Sequence, residues 1–300
     1  MSSQLHGILP ALVTPFDSDG GLDTGAMEKL LVRIYDSGAH GVYVCGQTGE
    51  GLVTPAAVRR QACEVALRNA PAGAQTVIHV GAAGTAESVT LARHAAKAGA
   101  TAISSLPPAG AYSFEEIHGY YSDLAAATDA PLLVYFFPEL SPSIRTLDQI
   151  LALCRIPGVV GLKFTDFDLY RLGEIRREGH VLFNGRDEVL AAGLYMGANG
   201  GIGSFYNLIP RTFVAIHAAA VRGDWANARR LQDTVNRLIR ITLGYPMMGA
   251  LKKMLGWSGI EVGEVLKPRG GISEEQWSRL QAELVADGFT AETFAGGGEA

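Results

Sequence analysis

Apolar residues along the chain fall into two alternating patterns. Eight short runs are nearly continuous in apolar residues and rich in β-branched ones. They are "GILPALVTPF" (7–16), "GVYVCG" (41–46), "TVIHVG" (76–81), "TAISSLP" (101–107), "PLLVYFF" (131–137), "VVGLKFT" (159–165), "HVLFNG" (180–185) and "GGIGSF" (200–205). Each reads as a buried strand. Between them lie longer stretches of helical character, such as "AAVRRQACEVALRNA" and "AESVTLARHAAKAGA". "SFEEIHGYYSDLAAATDA" places Glu116 three residues after Ser113, a capping box that starts a helix. Successive strand starts are about 20 to 35 residues apart, the repeat of a βα unit. Near-continuous apolar strands suit a parallel sheet covered by helices. A doubly wound sheet also alternates in this way, but eight units at a single spacing favour closure.

Beyond the eighth run the chain is helical only, with "DWANARRLQDTVNRLIRITLG", a segment around 246–256, and "SEEQWSRLQAELVADG". The pattern therefore predicts an α/β fold, a (β/α)8 TIM barrel over 1–223. A C-terminal helical extension of the same domain follows over 224–292, then a loose glycine-rich tail over 293–300.

Composition narrows the function classes. Hydrophobic residues make up 48% of the 300 and charged residues 18%, ample for a large core. A formal net charge of −5 gives no general attraction to nucleic acid or anionic membranes. No apolar run reaches the ~18 residues of a membrane span, and "MSSQLHGILP" lacks the pattern of a signal peptide. Cys45, Cys63 and Cys154 show no metal-ligand spacing. A cytoplasmic protein is expected.

One strand raises a chemical question. "PGVVGLKFTDF" is apolar yet carries Lys163 near its end, and an ammonium is costly to bury without a partner. Side chains alternate along a strand, so Gly161, Lys163 and Thr165 share one face while Val160, Leu162 and Phe164 share the other. The apolar set suits the helix-facing outside. Lys163 then points inward near the C-terminal end of its strand, where barrel enzymes keep their chemistry. A lysine there can snorkel to the rim or pair with a carboxylate. It can also serve as an amine nucleophile that forms a Schiff base with a carbonyl substrate. The preceding strand ends "LLVYFFP", and the same alternation points Leu133, Tyr135 and Phe137 inward. A phenol one unit from the lysine, at matching depth, can shuttle a proton.

The loops add polar groups. In "GQTGEGL" (46–52), Gly46 and Gly49 permit a tight turn whose amides, with the Thr48 hydroxyl, can hold a carboxylate. Glu50 can equally brace that loop. Asp187 and Glu188 begin a helix after "FNG", where acidic residues cap favourably or can bind the hydroxyls of a polyol. Ser204 stands at the mouth of the eighth strand. The glycines of "GANGGIGSFYN" are of a kind that binds phosphate, but no basic residue lies in that stretch.

These residues together resemble the dihydrodipicolinate synthase / N-acetylneuraminate lyase family of class I pyruvate aldolases. The carriers are "PALVTPF", "GVYVCGQTGE", "VYFFP", "GLKFT", "FNGRDE" and "GGIGSFYN", and the likeness runs from about Gly7 to beyond residue 240. "HVGAAGTAES", "TLDQI" and "DLYRLGEIRRE" are most similar to its lyase branch. The resemblance implies a homotetramer with Lys163 as the Schiff-base residue and Tyr135 as the proton shuttle. It further implies that Thr48 binds the pyruvate carboxylate; Gln47 beside it, longer than the usual residue, can donate to that carboxylate from further away or fill part of the pocket. Thr165, the Gly185 backbone, Asp187, Glu188 and Ser204 are implied to hold the sugar's hydroxyl-rich tail. No metal or organic cofactor is implied, and the partner is a small-molecule 2-oxo acid.

Several positions depart from the family's pattern. Gln47 stands where a serine or threonine hydroxyl is usual, and Phe136 where asparagine is usual. The tyrosine often lent to a neighbouring subunit is missing unless Tyr112 substitutes. Leu140 stands where the synthase needs an arginine, which disfavours synthase activity. The leading expectation is cleavage of an N-acetylneuraminate-like 2-oxo sugar acid to pyruvate and an aldehyde. The alternative is an aldolase or dehydratase of a shorter 2-oxo-3-deoxy sugar acid, motivated by Gln47, Phe136 and Phe137. A non-catalytic 2-oxo acid binder is the contrasting class.

Overall fold

A computed structural model describes residues 5–296. Eight parallel strands, β1 (Gly7–Pro10), β2 (Gly41–Val44), β3 (Gln75–His79), β4 (Ala102–Ser105), β5 (Leu132–Phe136), β6 (Val159–Phe164), β7 (Val181–Asn184) and β8 (Gly200–Gly203), form one sheet. Each pairs with its sequence neighbour from β2 to β8, and β8 returns to β1. The remaining seam is closed by the parallel bridge Ala11↔Tyr43 and by hydrogen bonds from His40 N to Ile8 O (2.9 Å) and from Leu12 N to Tyr43 O (2.8 Å). The sheet is thus a closed (β/α)8 barrel, as expected. The strands are shorter than the apolar runs: the first ends at Pro10, and "ALVTPF" continues as a loop over the C-terminal face.

Helices α1 (Thr24–Asp36), α2 (Ala56–Arg68), α3 (Thr85–Ala98), α4 (Phe114–Ala126), α5 (Leu147–Cys154), α6 (Leu169–Arg177), α7 (Leu190–Tyr195) and α8 (Pro210–Val221) surround it. The capping box of Ser113 and Glu116 starts α4. Two apolar layers result. Outward residues such as Ile8, Val42, Val134, Leu162 and Phe164 pack beneath the helices, while Leu9, Tyr43, Val77, Leu133, Tyr135 and Phe183 fill the barrel's interior. One expectation fails here. Val160 packs with the inner cluster, not with Leu162 and Phe164. The β5–β6 register passes from Leu132↔Val159 to Leu133↔Gly161, so Val160 is an extra bulged residue that resets the alternation.

The C-terminal extension comprises α9 (Trp225–Thr242), α10 (Met247–Trp257), α11 (Glu274–Ala286) and α12 (Ala291–Phe294). The tail expected to be loose from 293 is packed at its start, where Phe294 is fully buried against Trp257 and Phe289. Residues 297–300 lie outside the described residues. Among the described residues no helix is long and apolar enough to cross a membrane.

Candidate active site

Cross-strand register brings the two central residues together. Tyr135 on β5 is the direct partner of Lys163 on β6, so both project inward at one level. Lys163 is 4% exposed and forms no ion pair among the described residues. Its Nζ instead lies 3.8 Å from the ring centroid of Tyr135 and 5.1 Å from that of Tyr43. Two π faces therefore cushion the amine where no carboxylate neutralises it.

Beneath the lysine lies an aromatic floor. Tyr43, His79 and Tyr135 are mutually 6.1 to 6.3 Å apart between ring centroids. Tyr43 donates to Ser104 Oγ (3.0 Å), and burial pushes its phenol well above the usual range. His79 Nε2 accepts from Leu106 N (3.0 Å). Burial, with the charges of Arg59 and Lys163, holds this imidazole well below its ordinary value, so it is neutral. Neither Tyr43 nor His79 was picked out from the sequence. Both occupy inward positions of apolar strands, the same signal that singled out Lys163 and Tyr135.

Above the floor a cavity of about 410 Å³ opens at the C-terminal face. Every residue expected in the site lines it: Lys163, Tyr135, Gln47, Thr48, Thr165, Gly185, Asp187, Glu188 and Ser204. The Thr48 and Ser204 hydroxyls hydrogen-bond at 2.6 Å, tying the loop after β2 to the loop after β8. Among the described residues the amides of Gln47, Thr48 and Gly49 have no acceptor, leaving a row of donors suited to an anion. Cys45 and Glu50 flank this turn at φ of 60° and 55°, left-handed backbone that non-glycine residues adopt only when surroundings enforce it. The enforcement is visible. Glu50 pairs with buried Lys252 of α10 at 2.9 Å and accepts from Leu266 N (2.8 Å), while Thr14 Oγ1 donates to Gly49 O (2.7 Å). Glu50 is thus the brace allowed for above. Cys45 is buried, and burial raises its thiol, which leaves little thiolate.

On the opposite wall, Thr165 Oγ1 is buried with no partner among the described residues. The Gly185 amide is committed to Phe164 O (2.8 Å), so its carbonyl is what it can offer a ligand. A Cβ at Gly185 would come within 2.0 Å of Thr165 Oγ1. Asp187 and Glu188 form a short 3-10 turn ahead of α7 and do not cap that helix. Asp187 instead accepts from Phe205 N (2.8 Å), and burial raises its carboxyl to about 7, with the Lys163 charge pulling the other way. Helix α9 fixes the turn: Gln232 donates to Asp187 O (2.8 Å) and Asn236 to Glu188 O (3.0 Å).

Three departures from the family's pattern resolve differently. Phe136 faces outward, packed on Phe164 beneath the helices with 5.4 Å between ring centroids, so it adds no bulk to the cavity. The alternation that points Tyr135 inward requires this. Phe137 does line the cavity, stacked on Tyr135 at 6.3 Å. Tyr112 is 39% exposed and lies outside this cavity. Gln47 lines it and accepts a hydrogen bond from Arg269, which sequence reading did not single out. Arg186 was also missed; it lies against Phe137 and Phe167 and pairs with Glu139 at 2.5 Å on the rim.

A model of the dihydrodipicolinate synthetase family matches residues 4–287. The chain belongs to that family. An N-acetylneuraminate lyase of Escherichia coli O1:K1 / APEC is 37% identical over 287 residues, 94% of this chain and 97% of that protein. Among solved structures, CdNal from Clostridium difficile in complex with mannosamine aligns with a TM-score of 0.89 at 27% identity. That match covers 95% of this chain and 99% of the other. The N-acetylneuraminate lyase of Proteus mirabilis aligns with a TM-score of 0.87 at 27% identity, over 96% and 100% of the two chains. The dihydrodipicolinate synthetase family match thus spans the barrel and its helical extension through α11.

Proposed function

We propose that this enzyme is a class I, Schiff-base lyase that cleaves N-acetylneuraminate, or a close 2-oxo sugar acid, to pyruvate and an aldehyde sugar. One observation carries the reading: a buried Lys163, outside any ion pair among the described residues, lies 3.8 Å over the ring of Tyr135 at the base of a polar-walled cavity. The relatives named as N-acetylneuraminate lyases favour that substrate over shorter sugar acids. The alternative with a shorter acid also loses one of its motives, because Phe136 lies outside the cavity.

In the proposed reaction the Lys163 amine attacks the C2 carbonyl, and the carbinolamine hydroxyl leaves as water with a proton given by Tyr135, so that a protonated imine and a Tyr135 phenolate result. Tyr135 takes the proton from the C4 hydroxyl. The C3–C4 bond breaks, its electron pair moving into the imine to give an enamine while C4 becomes the aldehyde carbonyl. Protonation of the enamine at C3 and hydrolysis release pyruvate and the free lysine. The donor row at Gln47, Thr48 and Gly49 takes the C1 carboxylate. Thr165, the Gly185 carbonyl, Asp187, Glu188 and Ser204 take the hydroxyl-rich tail. A homotetramer in the cytoplasm goes with this reading.

The test is to add N-acetylneuraminate alone, reduce with borohydride, and map the adduct by mass. A pyruvate-sized adduct on Lys163 is expected, and none in Lys163→Arg. Tyr135→Phe is expected to retain the adduct formed from added pyruvate while turnover falls by about 10²- to 10⁴-fold. Labelling by pyruvate but not by the sugar moves the substrate to shorter 2-oxo-3-deoxy sugar acids.

A further inference from the structure

Resting on the imine reading of this site, we propose that Arg269 is a positioning residue for the substrate carboxylate. It acts through Gln47, the pair replacing the hydroxyl usual at that position. Arg269 Nη2 donates to Gln47 Oε1 (3.2 Å) and to Gln47 O (3.4 Å). An amide whose oxygen is held by a guanidinium turns its NH2 group the other way. Gln47 then presents an N–H donor beside the unpaired amides of Thr48 and Gly49. Among the described residues Arg269 has no carboxylate partner. Its guanidinium at the cavity wall is therefore held by Gln47 and not by a direct ion pair.

The segment carrying Arg269 is built to deliver it. Glu50, three residues after Gln47, binds Leu266 N (2.8 Å) and pairs with Lys252, whose Nζ also donates to Glu264 O (2.7 Å). A turn from Leu266 O to Arg269 N (3.0 Å) then points the arginine back to Gln47. The carboxylate loop and the guanidinium are thus fixed to the same buried ion pair. Arg186, the other arginine at the cavity, is already matched by Glu139 and leaves this role to Arg269.

Pyruvate, which is little more than the carboxylate and the carbonyl, is the probe. Its affinity would be measured by calorimetry, and its labelling of Lys163 by borohydride trapping, in the full chain. Arg269→Ala is expected to weaken pyruvate by about 10- to 100-fold, the range of a charge-assisted hydrogen bond. KM for the sugar acid should rise in parallel, with kcat within a few-fold. Arg269→Lys is expected to recover part of the loss, and Gln47→Glu to weaken pyruvate further by turning a carboxylate toward it. Unchanged pyruvate affinity in Arg269→Ala overturns the proposal, as does a loss confined to the aldehyde in the condensation direction. If pyruvate binds in an Arg269-dependent way but never labels Lys163, the imine reading fails and the carboxylate assignment stands. If it neither binds nor labels, both fail.

Discussion

Asp187 carries a carboxyl raised to about 7 by burial, against an unfolded value near 4. Its protonated form is therefore favoured in the folded chain, and its contribution to stability is complete below about pH 4. That contribution is lost as the pH rises through 7, since the native state then gives up a proton that the unfolded state released earlier. Urea titrations across this window should show Asp187→Asn removing part of the downward slope. A carboxyl that titrates near neutrality can both donate to and accept from sugar hydroxyls, which suits the wall it occupies. Lys163 and Tyr135 were legible because each interrupts an apolar run at an inward position. Tyr43 and His79 carry the same signal, but an aromatic ring in a strand reads first as packing. Arg269 had no local signal: it reaches Gln47 across 222 residues of sequence, through a loop without periodicity.

At the level of elements, the loop after β2 holds its left-handed residues only because other segments pin it. The Glu50–Lys252 pair is almost solvent-free, with side chains 0% and 3% exposed. Removing one partner of such a pair leaves a buried charge uncompensated. Lys252→Met alone should therefore cost about 3–5 kcal/mol in denaturant unfolding. Glu50→Gln combined with it should recover part of that, a coupling that a double-mutant cycle reads directly. Pyruvate binding should suffer in both, since the same brace sets the donor row. The strands and their order were legible from run length and spacing. The bulge at Val160 was not, because alternation assumes an unbroken ladder and nothing in "PGVVGLKF" marks the extra residue. Asp187 and Glu188, expected to begin a helix, instead form a 3-10 turn, because its anchor, Gln232 and Asn236 of α9, belongs to a later helix.

For the molecule as a whole, the helices after residue 223 are structural partners of the site. Helix α9 holds the Asp187–Glu188 turn, α10 supplies Lys252, and the following loop supplies Arg269. A chain ended after Gly223 should lose cooperative unfolding and pyruvate binding together, checked by urea denaturation followed by circular dichroism. A sharp transition in that fragment would make the barrel separable. The extension was visible in the sequence as helices; its grip on the cavity was not, since no periodicity encodes a contact between distant segments. The three thiols carry this wholeness into chemistry. Burial raises all of them, Cys63 and Cys154 to about 12. A thiol reagent therefore finds almost no nucleophile in the closed molecule, and each sulfur it captures counts an opening event. Cys45 counts those of the loop after β2, and Cys63 in α2 with Cys154 in α5 those of the helical shell, so the native chain carries its own set of clocks for local and global breathing.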